Sequence, residues 1–221
     1  MGRFDVDDID TSLCTHFIYA FAVLDRNHLL MKPQDSFIDV DRSGGFGGWR
    51  RGFYRRFTDL KTQNPGAKFL VSLGGFQDSS HQKYSDLLAS PDKIDSFAKN
   101  ALDFVKEYGF DGLDLHYEYP TYDGHGRDAP DSDRPGFTLL CKKLSETFRP
   151  WRLEVSAAVS ASEEMILAGY EVPQVCHYLD SVHVMAYDLH GPWEENVNHH
   201  SPLYDEIGDK LSLDHGCVII I

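Results

Sequence analysis

Short apolar runs alternate with amphipathic stretches along most of the chain. Leu13 to Ala22 is aromatic and β-branched, follows the turn formers Asp10-Thr11-Ser12, and reads as a strand. Trp49 to Gln63 carries helical spacing and stops at Asn64-Pro65-Gly66. Ala67 to Leu73 is a short, nearly unbroken apolar run closed by Gly74-Gly75, as a fully buried strand would be. Pro91 to Tyr108 is the clearest helix. Ile94, Phe97, Ala98, Ala101, Leu102, Val105 and Tyr108 keep a 3.6-residue period, Ser90 stands at the N-cap and Gly109 follows the last turn. A second amphipathic helix spans Phe137 to Phe148. A strand from Leu153 to Ser160, a short helix from Val172 to His177 and a strand from Asp180 to Tyr187 complete the pattern. Strands and helices alternating at this spacing imply βαβ units and a parallel sheet.

One strand breaks the rule that buried strands are apolar. Phe110 to Tyr119 reads F-D-G-L-D-L-H-Y-E-Y, closed by Pro120. Side chains alternate faces along a strand. Asp114, His116 and Glu118 therefore share one face, and Leu113, Leu115, Tyr117 and Tyr119 the other. The apolar face can pack under helices. The ionisable face needs partners or a chemical role. Same-face residues step about 6.6 Å, which leaves Asp114 and Glu118 about 13 Å apart with His116 between them. Glu118 ends the row at the carboxyl end of the strand, where active sites of parallel α/β folds lie.

Composition narrows the choice. The chain has 221 residues, 42% of them hydrophobic and 13% aromatic, enough for the core of one domain. Its net charge of −14 argues against nucleic acid or an anionic membrane as partner and is compatible with a neutral ligand such as a glycan. No apolar run reaches the roughly 18 residues a membrane span needs.

Three ordered motifs give a resemblance to glycoside hydrolase family 18, the chitinases and chitinase-like lectins. The family signature D-x-x-D-x-D-x-E stands here as Asp111, Asp114, His116 and Glu118, with histidine in place of the third acid. K-x-x-x-S-x-G-G stands as Lys68, Ser72, Gly74 and Gly75. M-x-Y-D stands as Met185, Tyr187 and Asp188, followed by His190-Gly191-Pro192-Trp193. The similarity runs from about Gly2 to about Leu211. It implies a (β/α)8 barrel, of which the five strands read above correspond to the second to sixth. A whole barrel needs about 250 residues. The expectation is therefore a single partial domain over residues 1–221, a fragment with open edges at its first and last strands. The apolar tail Asp214 to Ile221 departs from the family pattern.

The resemblance also implies roles. Glu118 would be the general acid of a substrate-assisted, retaining hydrolysis of β-1,4-N-acetylglucosamine polymers. Tyr187 would bond the substrate's acetamido carbonyl, Asp188 would contact a sugar, and Trp193 would offer a stacking face. Met185, Tyr19 and Phe76 would line the substrate groove. Asp114 and Ser72 would support the middle position of the motif, and Asp111 would organise the strand. His116 brings no negative charge to a cationic intermediate, so turnover is expected to be weak or absent. The alternative is a chitin- or chito-oligosaccharide-binding lectin. Phe76 and Tyr117 stand where the family often has tryptophan.

No cofactor follows from the resemblance. The partners it implies are chitin or chito-oligosaccharides, with neither nucleic acid nor membrane, and a complete barrel would be a monomer. The family is largely extracellular, although Met1 leads straight into Gly2-Arg3-Phe4-Asp5 without a secretion signal. Cys14, Cys141, Cys176 and Cys217 allow three pairings. By resemblance Cys14 would pair outside this chain, while Cys141 and Cys176 read as buried free thiols. His190, His199 and His200 read as solvated rather than as a metal site. Gly44 to Gly48 lacks the lysine and the strand-to-helix setting of a phosphate loop.

Overall fold

The apolar runs become strands β1 (His16–Leu24), β2 (Met31–Pro33), β3 (Lys68–Gly74), β4 (Gly112–His116), β5 (Glu154–Ser160) and β6 (Ser181–Met185). The helices are α1 (Ser36–Asp39), α2 (Phe53–Asp59), α3 (Phe76–Ser79), α4 (Lys83–Leu88), α5 (Pro91–Tyr108), α6 (Asp133–Phe148), α7 (Glu163–Gly169) and α8 (Val172–Tyr178). The computed structural model describes residues 5–40, 52–79, 82–121, 129–195 and 197–204. Trp49, the glycine-rich run 44–48, Cys217 and the apolar tail lie outside them.

The sheet order is β2-β1-β3-β4-β5-β6. β1, β3, β4, β5 and β6 are mutually parallel, and β2 adds an antiparallel hairpin arm to the carboxyl end of β1. The fold is a mixed α/β sheet that forms part of a (β/α)8 barrel. All five strands read from the sequence are present. β2 was missed, because three residues are too few to show a period. It changes one expectation: β1 is not open along its whole length, since Ala22, Val23 and Leu24 pair with Pro33, Lys32 and Met31.

Each central strand has two unlike faces. Phe69, Val71 and Leu73, with Leu113, Leu115, Val155, Ala157 and Val159, lie in one apolar core with Phe97, Ala101, Val105, Leu140 and Leu144 of α5 and α6. The other face is lined by small or polar groups, among them Ser72, Asp114 and Ser156, all closed to solvent. This is the barrel interior, and it places the ionisable row of β4 inward.

Helix α5 runs over the predicted residues, and Gly109 closes it in the left-handed conformation with its N–H on the Val105 carbonyl. Ser90 holds the N-cap position without a side-chain cap bond. Helix α6 starts at Asp133, four residues earlier than expected, because Pro135 is tolerated in a first helical turn, where the N–H it lacks has no intrahelical acceptor. The expected helix 49–63 is shorter, with α2 ending at Asp59 and a 3₁₀ turn over Leu60–Thr62.

A repeated side-chain device fixes the strand starts. Oδ2 of Asp111, just before β4, accepts the Phe69 N–H of β3 at 2.9 Å, and Asp111 Oδ1 lies 2.7 Å from Lys61 Nζ. Oδ2 of Asp180, just before β6, accepts the Val155 N–H of β5 at 2.8 Å. In both places an acid closes the amide at the second residue of the preceding strand. Asp111 therefore lies at the amino end of β4, at the opposite end of the strand from Glu118. Cys14, Cys141 and Cys176 are free thiols, and burial pushes those of Cys141 and Cys176 up.

Candidate active site

The inward row of β4 resolves into two acid–histidine pairs. Asp114 is buried beneath the others. Ser72 Oγ of β3 donates to its Oδ2 and Ser156 Oγ of β5 donates to its Oδ1, each at 2.7 Å. His183 Nδ1 of β6 reaches Oδ1 at 3.2 Å. Two hydroxyls and an imidazole meet the needs of a carboxylate removed from water. The carboxylate in turn raises the proton affinity of His183 above the ordinary histidine value, against the opposing effect of burial.

One step up the strand, His116 turns away from Asp114. Its Nε2 lies 3.0 Å from Glu118 Oε1, and both side chains are nearly enclosed, at 14% and 12% exposure. His116 thus communicates with Glu118 and not with Asp114. The ring edge of Phe21 packs on it, with centroids 5.1 Å apart at 86°. Phe21 reaches this position because β1 carries an irregularity between Ala20 and Ala22, and such an extra residue re-aims a side chain. The sequence reading missed Phe21. The irregularity that aims it is set by pairing with β3, and no local sequence signal marks it.

Beyond His116 the strand ends, so period-2 alternation no longer holds. Tyr119, expected on the face opposite Glu118, instead hydrogen-bonds it, and burial with that charge pushes its phenol well up. Ser79 Oγ, at the end of α3, accepts the Glu118 N–H at 3.0 Å. Tyr187 is half-exposed. Burial, together with the nearby Glu118 and Asp188 charges, raises its phenol, which places all three groups in one neighbourhood. Met185 is buried at the end of β6, in register with Ser160.

The rim is aromatic. Phe76 is exposed and lines an open cleft with Phe21, Val23, Gln34, Gly74, Gly75, Gln77 and Asp78. The floor needs glycine at 74, where φ is +119° and a Cβ would fall 2.2 Å from the His116 carbonyl oxygen. Trp193 is exposed with its ring across Gly191, where a Cβ would stand 2.3 Å from ring carbons. Asp188 Oδ1 lies 2.6 Å from His200 Nε2, and His200 stacks parallel to Tyr187 at 6.5 Å. His190, expected to be solvated, is instead buried against Glu194 at 2.9 Å, which supplies the partner its ring needs away from water.

Tyr19 is a correction. It was expected in the groove, yet its ring lies edge-on to Tyr54 and Phe57 of α2, and its hydroxyl donates to Asp39 Oδ1 at 2.6 Å. Tyr19 is in register with Val71, a residue of the helix-facing core, so parallel pairing puts it on the outer face.

A parallel β/α sheet with its ionisable row at the carboxyl strand ends is the active-site portion of a (β/α)8 barrel. The profile of Glycosyl hydrolases family 18 matches residues 2–217, and the chain belongs to that family. It is 43% identical over 212 residues to "Probable chitinase 10" of Drosophila melanogaster, covering 96% of this chain and 9% of that protein. It is 36% identical over 218 residues to the "Endochitinase" of Manduca sexta, covering 97% of this chain and 37% of that protein. Among solved structures, catalytic domain 2 of the Ostrinia furnacalis Group II chitinase superposes with a TM-score of 0.88 at 38% identity, over 97% of this chain and 54% of that one. A mutant of that domain has been solved in complex with penta-N-acetylchitooctaose. The chain thus spans less than half the length of these two curated relatives and about half of the solved domain.

Proposed function

We propose that the chain is a chitinase-like glycosidase that acts on β-1,4-N-acetylglucosamine polymers outside the cell, with Glu118 as its acid and the rate limited by His116. The observation that carries this reading is the position of Glu118. It lies just beyond the carboxyl end of β4, hydrogen-bonded by Tyr119 and near enough to Tyr187 for its charge to raise that phenol. The family membership and the chitinase names of its relatives support the substrate class.

In this reading Glu118 protonates the glycosidic oxygen. The substrate's own acetamido oxygen attacks the anomeric carbon, and water opens the cyclic intermediate with retention. Tyr187 donates to the acetamido carbonyl, Asp188 holds a neighbouring sugar, and Trp193 and Phe76 offer stacking faces. His116 weakens the step in two ways. A neutral imidazole accepts the Glu118 proton at 3.0 Å and competes with the glycosidic oxygen for it. A protonated imidazole favours the ionised acid and adds positive charge beside a cationic intermediate.

His116 also supports a second reading, a chito-oligosaccharide-binding protein that keeps the groove and has lost chemistry. The two are separated by incubating the chain with chitotetraose, with Glu118→Gln as control. Cleavage that vanishes in the control supports the glycosidase. Binding without cleavage in both supports the lectin, and neither binding nor cleavage by a folded chain refutes both.

A further inference from the structure

Among the described residues Asp114 has three hydrogen-bonding contacts, and they are not equivalent. Ser72 and Ser156 are neutral hydroxyls. Among the described residues His183 is the contact that can carry a positive charge. It reaches Asp114 from two strands away. Asp114 is in register with Ser156 and Ser156 with Ser181, so His183 starts one inward step above that level, beside Ala158. Alternate strands lie about 9.6 Å apart. An imidazole spans that gap only because the intervening inward residues of β5, Ser156 and Ala158, are small. Ser181 Oγ lies 3.3 Å from the other ring nitrogen. The ring contacts Asp114 on β4 and Ser181 on β6, and by register Ser156, Ala158 and Ser160 of β5 and Met185 of β6 lie on the same inward side; among these described residues Asp114 is the charged one.

This arrangement bears on His116. Asp114 and His116 share a face one inward step apart, about 6.6 Å along the strand. An Asp114 lacking its β6 partner would offer the His116 ring a second buried carboxylate, in competition with Glu118. We propose that His183 is the positioning residue of the acid row: its Nδ1–H holds Asp114 across β5 and supplies the counter-charge, and this leaves His116 turned to Glu118. No sequence motif singled out His183, and its partner lies 69 residues away. The inference rests on the site reading above only for its effect on the glycan.

The test has an arm that needs no glycan. In ¹⁵N-histidine spectra of the full chain, His183 is expected as the Nδ1-protonated tautomer with a midpoint above the ordinary histidine value, and Asp114→Asn is expected to lower that midpoint. A neutral Nε2–H tautomer in the parent protein would overturn the proposal whatever the variants do. The second arm uses chitotetraose affinity. His183→Leu is expected to weaken binding about tenfold and to shift the His116 ring resonances. His183→Asn keeps a donor near the Nδ1 position but takes up no proton. It is expected to restore the binding lost in the leucine variant while losing the parent's change in affinity between pH 6 and pH 8. Leucine-variant affinity within twofold of the parent, or an asparagine variant with the parent's pH dependence, counts against the role.

Discussion

His116 is the side chain on which the proposed activity turns. Its Nε2 lies 3.0 Å from Glu118, the acid of the proposed reaction, and both side chains are nearly enclosed, so water does little to loosen the pair. In the proposed reaction an aspartate there would bring a negative charge where positive charge develops. Losing one electrostatic stabiliser of a transition state costs about 10²–10³-fold in rate. His116→Asp is therefore expected to raise chitotetraose turnover by about that factor in a steady-state assay, with a smaller change in KM. An unchanged kcat would show that His116 is not what limits the site. Tyr19 and Phe21 teach the complementary lesson: two aromatics two positions apart on one strand end on different faces, because a local irregularity separates them.

At the scale of elements, the precision of the site depends on β4 lying close between β3 and β5. Gly112 opens β4, and a Cβ there would meet the Glu154 carbonyl oxygen at 2.3 Å. That neighbour is backbone and cannot rotate away. Overpacking of this kind costs about 1–3 kcal/mol. Gly112→Ala is expected to lower stability by that order in urea unfolding and to disturb the Ser72–Asp114–Ser156 alignment two residues along. A stability change below about 0.5 kcal/mol would mean that β5 can move aside. The acids at 111 and 180 do the reverse and secure strand starts by accepting one amide of the strand before.

The whole molecule carries the charge consequence of its acid–histidine pairs. His183 holds its proton more tightly folded than unfolded, because Asp114 accepts from it. The stability this contributes is complete below the unfolded value of about 6.5 and is lost as pH rises through the higher folded value. Asp25 works in the opposite sense. Lys32 and the His28 amide hold its carboxyl below the usual range, so its contribution is present above about 3.9 and is lost as pH falls through the folded value. Thermal unfolding of the chain is therefore expected at a higher midpoint at pH 6 than at pH 8, with His183→Asn removing the part due to this pair. Equal increments in parent and variant would assign the pH effect to other groups. Elsewhere, β6 leaves Val184 exposed beside an apolar recess lined by Val159, Ile166, Tyr170, Val172, Val175 and Val182.

The amino-acid sequence by itself determined the five parallel strands, the long helices and the inward row of β4. Periodicity and the reach of a strand are local properties, and the residues of each motif lie within eight positions of one another. The same pattern carried the family resemblance. Tertiary structure alone decided the partners. The sequence placed His116 between two acids, and packing chose Glu118. It showed Ser156 and His183 as ordinary strand residues, and only parallel register across β4, β5 and β6 brought them onto Asp114. It put Tyr19 in the groove, and pairing with β3 turned it to the helices. For Asp114 and Tyr19 the deciding contacts join residues far apart in the chain, where side-chain period carries no information and only the register of neighbouring strands fixes which groups meet.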